Sequence, residues 1–290
     1  MFRTLARTFS AALGAALLAS CASRPAIDNG TIGQPAFREH KATYGLVYRL
    51  PREATDLLDA RIAAPLKNRL LALGLRAETQ TFNLPHVTVV HIHSADPGTP
   101  QKMLKALPKL PPVIAFRFKD FYTTEAAKDA GRPWWLDLGI VKTGQGYEDL
   151  MAFNTVATAA LAPLRDGPLP RVTGPVYEKM SDAGKLLVAS VGVSGVNVVR
   201  DGKELRSHNP HNTLVYSMAP FDARVQAGMK ELAAEFNKVL PEGFPMTFRE
   251  VSIVELAFSG NVLREFYRIN LENGSAVDAA NGQPVTGGWR

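Results

Sequence analysis

Two short stretches of this chain carry residue types that do chemistry at a spacing that lets them cooperate. Pro85-His86-Val87-Thr88 and Pro210-His211-Asn212-Thr213 match as Pro-His-x-Thr, and each runs on into two aliphatic residues, Val89-Val90 and Leu214-Val215. Read as strands, their side chains alternate between faces, so His86 projects beside Thr88 and His211 beside Thr213, each pair about 7 Å apart along its strand. Hydrolysis of a phosphodiester needs one group to take a proton from water and another to give one to the leaving oxygen. Histidine does either near neutral pH. The hydroxyls supply hydrogen bonds to non-bridging oxygens, where negative charge collects in the transition state. Such a site needs neither metal nor cofactor.

Competing signals are weaker. His91 and His93 are two apart, with Asp96 three further on, which is a familiar opening of a metal site. Strict alternation places them on the opposite face from His86 and Thr88, no third ligand has obvious spacing, and the His-x-His-x-Asp-His pattern of metallo-β-lactamase-type hydrolases is missing. A polar strand end is the expected reading, and a metal-dependent hydrolase using His91 and His93 stays a lesser alternative. His40 and His208 are expected to be solvated. Gly192-Val193-Ser194-Gly195 lacks the last glycine of a nucleophile elbow, and no Gly-rich loop ends in Gly-Lys-Ser/Thr. Arg117, Lys119 and Phe121 alternate as a strand face would, and Trp134, Trp135 and Tyr216 are able to stack a base, although core packing is the commoner fate of aromatics.

The elements that must position the motifs follow from periodicity. Strands are expected at 44–50, 86–92, 113–122, 134–141, 211–218, 246–258 and 261–271. Helices are expected at 53–73, closed by Gly74, and at 100–107, 146–165 and 222–239. Helix, His-bearing strand, helix, strand, strand thus occurs twice. The expected fold is α+β: two pseudo-symmetric lobes, each an antiparallel sheet with helices packed outside, facing a central cleft that carries both His-x-Thr motifs. Residues 166–209 break the symmetry as an insertion before the second motif, in which 185–193 and 196–206 look like a pair of strands. The tail, 272–290, is expected to be loosely ordered.

At this point the sequence resembles the 2H phosphoesterases, a superfamily that includes bacterial 2′,5′-RNA ligases and cyclic nucleotide phosphodiesterases. Its signature is two His-x-Thr/Ser-hydrophobic motifs, one per pseudo-symmetric lobe, met here by His86-Val87-Thr88-Val89 and His211-Asn212-Thr213-Leu214 over a domain spanning 42–271. The resemblance implies catalytic roles for His86 and His211, phosphate contacts for Thr88 and Thr213, no cofactor, and a nucleotide or short RNA as substrate, with a 2′,3′-cyclic phosphate or 2′,5′-linkage as the bond opened. A nucleotide- or RNA-binding protein without turnover is the alternative from another class.

The front of the chain reads as an address. Arg3 and Arg7 precede an apolar run from Phe9 to Leu18, too short to span a bilayer, and Leu18-Ala19-Ser20-Cys21 resembles the bacterial lipobox. Residues 1–20 are then a lipoprotein signal peptide, Cys21 is the lipidated residue, and 21–41 form a flexible tether to the membrane. The implied location is the bacterial cell envelope, with Ala22 favouring the outer membrane, its periplasmic face. Of the 290 residues, 46% are hydrophobic and 21% charged, which excludes collagen-like, low-complexity and wholly disordered chains. A single cysteine excludes a disulfide framework or a multi-thiolate zinc site. The formal charge of +6 leans mildly toward anionic partners.

Overall fold

A computed structural model describes residues 38–39, 41–75, 85–124, 134–166, 172–173, 175–217, 219–257 and 260–289. The expected signal peptide, Cys21 and His40 lie outside the described residues. The chain runs β1 (Arg38–Glu39), β2 (Ala42–Arg49), α1 (Arg52–Leu58), α2 (Ala64–Ala72), β3 (His86–Ser94), α3 (Thr99–Ala106), β4 (Ile114–Thr123), β5 (Trp134–Ile140) and α4 (Gln145–Leu161). It continues through β6 (Val172–Thr173), α5 (Pro175–Glu178), α6 (Asp182–Val191), β7 (Val198–Arg200), β8 (Lys203–Leu205), β9 (His211–Ser217) and α7 (Ala223–Val239). The last strands are β10 (Phe244–Phe248), β11 (Glu250–Leu256), β12 (Val262–Asn270), β13 (Ala276–Asp278) and β14 (Pro284–Val285).

The helices form where apolar residues recur on one face. Leu58, Ile62, Leu66 and Leu70 are fully buried at four-residue spacing. Pro65, near the start of α2, lacks an N–H for the helical ladder, and the turn before it, Asp59–Ala63, widens to a π-turn that carries the chain past. Helix α7 starts where the Asp222 side chain accepts from the Val225 amide, and it buries Met229, Leu232 and Phe236. Gly228 on that helix sits where a Cβ would come within 2.9 Å of Leu73, so a glycine permits the close packing of α7 on the end of α2.

Two antiparallel sheets carry the fold: a four-stranded sheet ordered β10-β4-β5-β9 and a six-stranded sheet ordered β14-β13-β12-β11-β2-β3. The α+β class and antiparallel sheets follow expectation, but the lobes are not the two consecutive halves of the chain. Strands β4 and β5, which follow the first motif, pair with the second; β11 and β12, which follow the second, pair with the strands of the first. The expected single strand 246–258 is therefore two. It breaks at Arg249, β10 joining β4 in one sheet and β11 joining β2 in the other. The chain thus passes between the sheets twice, from β3 to β4 and back from β10 to β11.

Two further expectations are corrected. Residues 185–193 are not a strand but lie mostly in α6, whose Ser181 hydroxyl accepts from the Gly184 amide and whose end is turned by Gly192 at φ +88°. The hairpin that follows, β7–β8, is real but shorter than 196–206. The tail is ordered as well: β13 and β14 extend the six-stranded sheet, and Trp289 is buried with its indole N–H donating to the Leu104 carbonyl at 2.9 Å. An indole finds a partner there and a large apolar area is covered.

Candidate active site

Both motifs lie on edge strands, β3 of the larger sheet and β9 of the smaller, and these two edges adjoin. The link is direct: the side chain of Asn212, the middle residue of the second motif, is buried and donates to the backbone carbonyl of His86 at 2.9 Å. Val87, Val89 and Leu214 enter one contiguous core. By strand alternation, the half-buried His86, Thr88, His211 and Thr213 project from the other face of the same junction.

The two strands also share a defect. On β3, Thr88 pairs with Val47 and Val90 with Leu46, which leaves Val89 without a partner; on β9, Thr213 pairs with Asp137 and Val215 with Leu136, which leaves Leu214 without one. Each motif is thus followed at the same offset by a β-bulge, one extra residue that shifts the alternation. The shift corrects the placement of His91 and His93. They lie on the same face as His86 and Thr88, because Val89 resets the parity, and Tyr216 likewise joins His211 and Thr213. His93 shares a 3.1 Å hydrogen bond between Nδ1 and the Thr43 hydroxyl, and its ring centroid is 6.5 Å from that of His91. No group of three potential metal ligands occurs among the described residues. Tyr216 stacks with half-buried Trp135 at 6.3 Å, whereas Trp134 is a core residue bonded through its indole to the Ala219 carbonyl. Phe121 is also core: Asp120, at φ +68°, breaks the alternation of β4.

A buried polar chain braces the bulge and the second motif together. Asn154 of α4 donates to the carbonyl of Val89, the bulged residue, and accepts from the Asn197 amide at 2.7 Å. Asn197 in turn accepts from the His208 amide at 3.0 Å and donates to the Met151 carbonyl. Both asparagines are fully buried, so every partner matters. The insertion 166–209 therefore ends by holding the second motif. Its Asn209 carbonyl accepts from His211 Nδ1 at 2.6 Å. A carbonyl only accepts, so Nδ1 carries a proton and Nε2 is the atom free to exchange one. His208 is half-buried rather than solvated; its Nδ1 bonds the Gly195 carbonyl, and burial pulls its pKa down to about 4.

One residue of this site escaped the sequence reading. Asp137 lies on β5 directly across from Thr213 and is wholly buried. Its Oδ2 is 3.7 Å from His211 Nε2, beyond hydrogen-bond range but close for charge. Neither carboxylate oxygen has a hydrogen bond of full geometry, although the Thr213 and Tyr122 hydroxyls face it closely enough to favour its ionised form. Burial outweighs them and raises its pKa to about 6, against the opposing pull of His211. Tyr122, across from Asp137 on β4, is pushed up to about 12 by burial and then by that carboxylate, and its hydroxyl accepts from the Asn209 side chain at 3.2 Å. The signal was an acid inside the apolar strand Trp134-Trp135-Leu136-Asp137-Leu138.

No family model and no curated protein matches the sequence. Among solved structures, the chain is similar to E. coli LigT in complex with NADP+ (11% identity, 76% of this chain and 90% of that one, TM-score 0.37). It is also similar to Usb1 of Kluyveromyces marxianus (10% identity, 73% and 93%, TM-score 0.35), and to the same protein with uridine monophosphate (10% identity, 73% and 94%, TM-score 0.36). Likeness at this level carries nothing about the site, whose chemistry stands on its own residues.

Proposed function

We propose that this protein is a phosphoesterase of the 2H type that opens a 2′,3′-cyclic phosphate or 2′,5′-phosphodiester of a nucleotide or RNA end. His86 and His211 are its acid–base pair, and Thr88 and Thr213 bind the phosphate. The observation that supports this most is the Asn212–His86 hydrogen bond between two motifs that share sequence, face and bulge. In the reaction, one imidazole takes a proton from water as the water oxygen bonds to phosphorus. The phosphorus–ribose oxygen bond breaks, and that oxygen leaves with the electron pair and takes a proton from the second imidazole. Charge developing on the non-bridging oxygens is met by the two threonine hydroxyls. No step calls on a metal.

The test is turnover of 2′,3′-cyclic mononucleotides and 2′,5′-linked dinucleotides with and without EDTA. Chelator-resistant hydrolysis, reduced by about 10²–10⁴ in His86→Ala and in His211→Ala, is the expected result. Nucleotide binding with no turnover of any phosphodiester overturns the enzyme in favour of a binding protein. Activity lost to chelator and restored by zinc overturns it in favour of a metal site at His91 and His93, whose shared face with the motif is the observation that keeps that reading alive.

We propose further that the body is tethered to the bacterial envelope through acylated Cys21, at the periplasmic face of the outer membrane. Among the described residues no helix is long and apolar enough to cross a membrane. Palmitate labelling in cells, lost in Cys21→Ala, is expected; unlabelled wild-type protein contradicts it.

A further inference from the structure

We infer that Asp137 is the charge partner that makes His211 the proton donor of the pair, leaving His86 as the base. The inference rests on the two-histidine reading above and adds to it the order of roles, which the symmetric motifs leave open.

The two lobes repeat His, Thr, bulge and the polar residue after it, but they differ at the position across the sheet from each threonine. Opposite Thr88 stands Val47; opposite Thr213 stands Asp137. The difference puts a carboxylate 3.7 Å from His211 Nε2 and gives Thr88 an aliphatic neighbour instead. Among the described residues the His211 imidazole is the ion-pair partner of this buried carboxylate, and an anion at that range favours a proton on the nitrogen that faces it. With Nδ1 already committed to the Asn209 carbonyl, the added proton sits on Nε2, the atom available to a leaving oxygen.

The groups around His211 do not compete for this role. From β4, Tyr122 is a neutral phenol in the working range, since burial holds it near 12. From the segment before β9, His208 is neutral above pH 5, since burial holds it near 4. From β3, the His86 main chain is held by Asn212, and its imidazole is the partner base. Lys119 and Arg117 of β4 line the cavity beside Tyr122 and Asn209 and are engaged by Glu242, the first through its carboxylate at 3.9 Å and the second through its carbonyl. Asp137 thus acts through His211. It is a positioning residue, set 3.7 Å from Nε2, the nitrogen that gives the proton, while Asn209 holds the other side of the ring.

The consequence is a one-sided change in the pH profile. When the base must be neutral and the acid protonated, the acidic limb of kcat reports the base and the alkaline limb the acid. Asp137→Asn keeps the shape and removes the charge. Its alkaline limb should move to lower pH by about one unit or more, the scale of a single opposite charge at this range, and its acidic limb should stay. At pH 8 that is a loss of about tenfold or more in kcat, with KM little changed. If Asp137→Asn does not fold, Asp137→Ser carries the same readout. An unmoved alkaline limb with kcat intact in a folded variant overturns the assignment, and so does a shift confined to the acidic limb, which would make His211 the base. Wild-type protein inactive on every phosphodiester is a separate failure, that of the two-histidine reading itself.

Discussion

Replacing Asp137 by asparagine should make the protein more stable at neutral pH. The carboxyl is wholly buried on the central strand β5, and its pKa is raised to about 6 chiefly by burial. The unfolded chain ionises the same group near 3.8. Between those values the native state keeps a proton that the unfolded state releases, so unfolding becomes easier as pH rises, and stability falls from about pH 4 to about pH 6 before levelling off. Two pH units at 1.36 kcal/mol each make that fall about 3 kcal/mol, an upper bound because His211 and the facing hydroxyls offset part of it. Asparagine fits the same volume and never ionises. Asp137→Asn should therefore exceed wild type by about 2 kcal/mol at pH 7 and match it within about 1 kcal/mol at pH 4. Urea denaturation of both proteins at pH 4, 5, 6 and 7 reads the difference directly. A variant less stable than wild type at pH 7, by a gap that does not close at pH 4, would mean an ordinary paired carboxylate and would refute the reasoning. A gain in stability joined to a loss in turnover is the signature of a group kept for function.

The brackets that hold the motifs together make further predictions. Asn212→Leu leaves the His86 carbonyl without its partner; it should cost about 1–2 kcal/mol and lower kcat by about 10- to 100-fold, measured by urea titration and steady-state kinetics. Asn154→Ala and Asn197→Ala should each cost about 1–3 kcal/mol, and the double variant should lose less than their sum, because the two side chains belong to one chain of hydrogen bonds. Trp289→Ala should lower stability by about 3–5 kcal/mol in thermal or urea unfolding, as a buried residue and not a loose end.

Much of the fold was legible because its elements announce themselves locally. The helical faces of Leu58–Leu70 and of Val225–Phe236 and the strands at 86–92 and 134–141 follow from period alone. What escaped was set by pairing at a distance. Nothing near Arg249 says that the residues before it join β4 and those after it join β2. The helix α6 hid in an apolar run whose length suits either element, though Ser181-Asp182 before it and Gly192 after it are cap and stop signals. The bulges left a trace that strict alternation misreads: Thr88-Val89-Val90-His91 and Thr213-Leu214-Val215-Tyr216 each bury two successive aliphatics where a regular strand would bury one. His86, Thr88, His211 and Thr213 stood out because the pattern occurs twice. Asp137 has no repeat in the other lobe, and only its setting among apolar residues marked it.

The central claim, that one phosphate is held by both histidines, is tested most directly by a crystal structure with a nucleoside 2′- or 3′-monophosphate bound. The phosphate is expected within hydrogen-bond distance of the imidazoles of His86 and His211 and of the hydroxyls of Thr88 and Thr213. A phosphate that touches one motif and leaves the other to solvent, or that settles elsewhere on the protein, would contradict it.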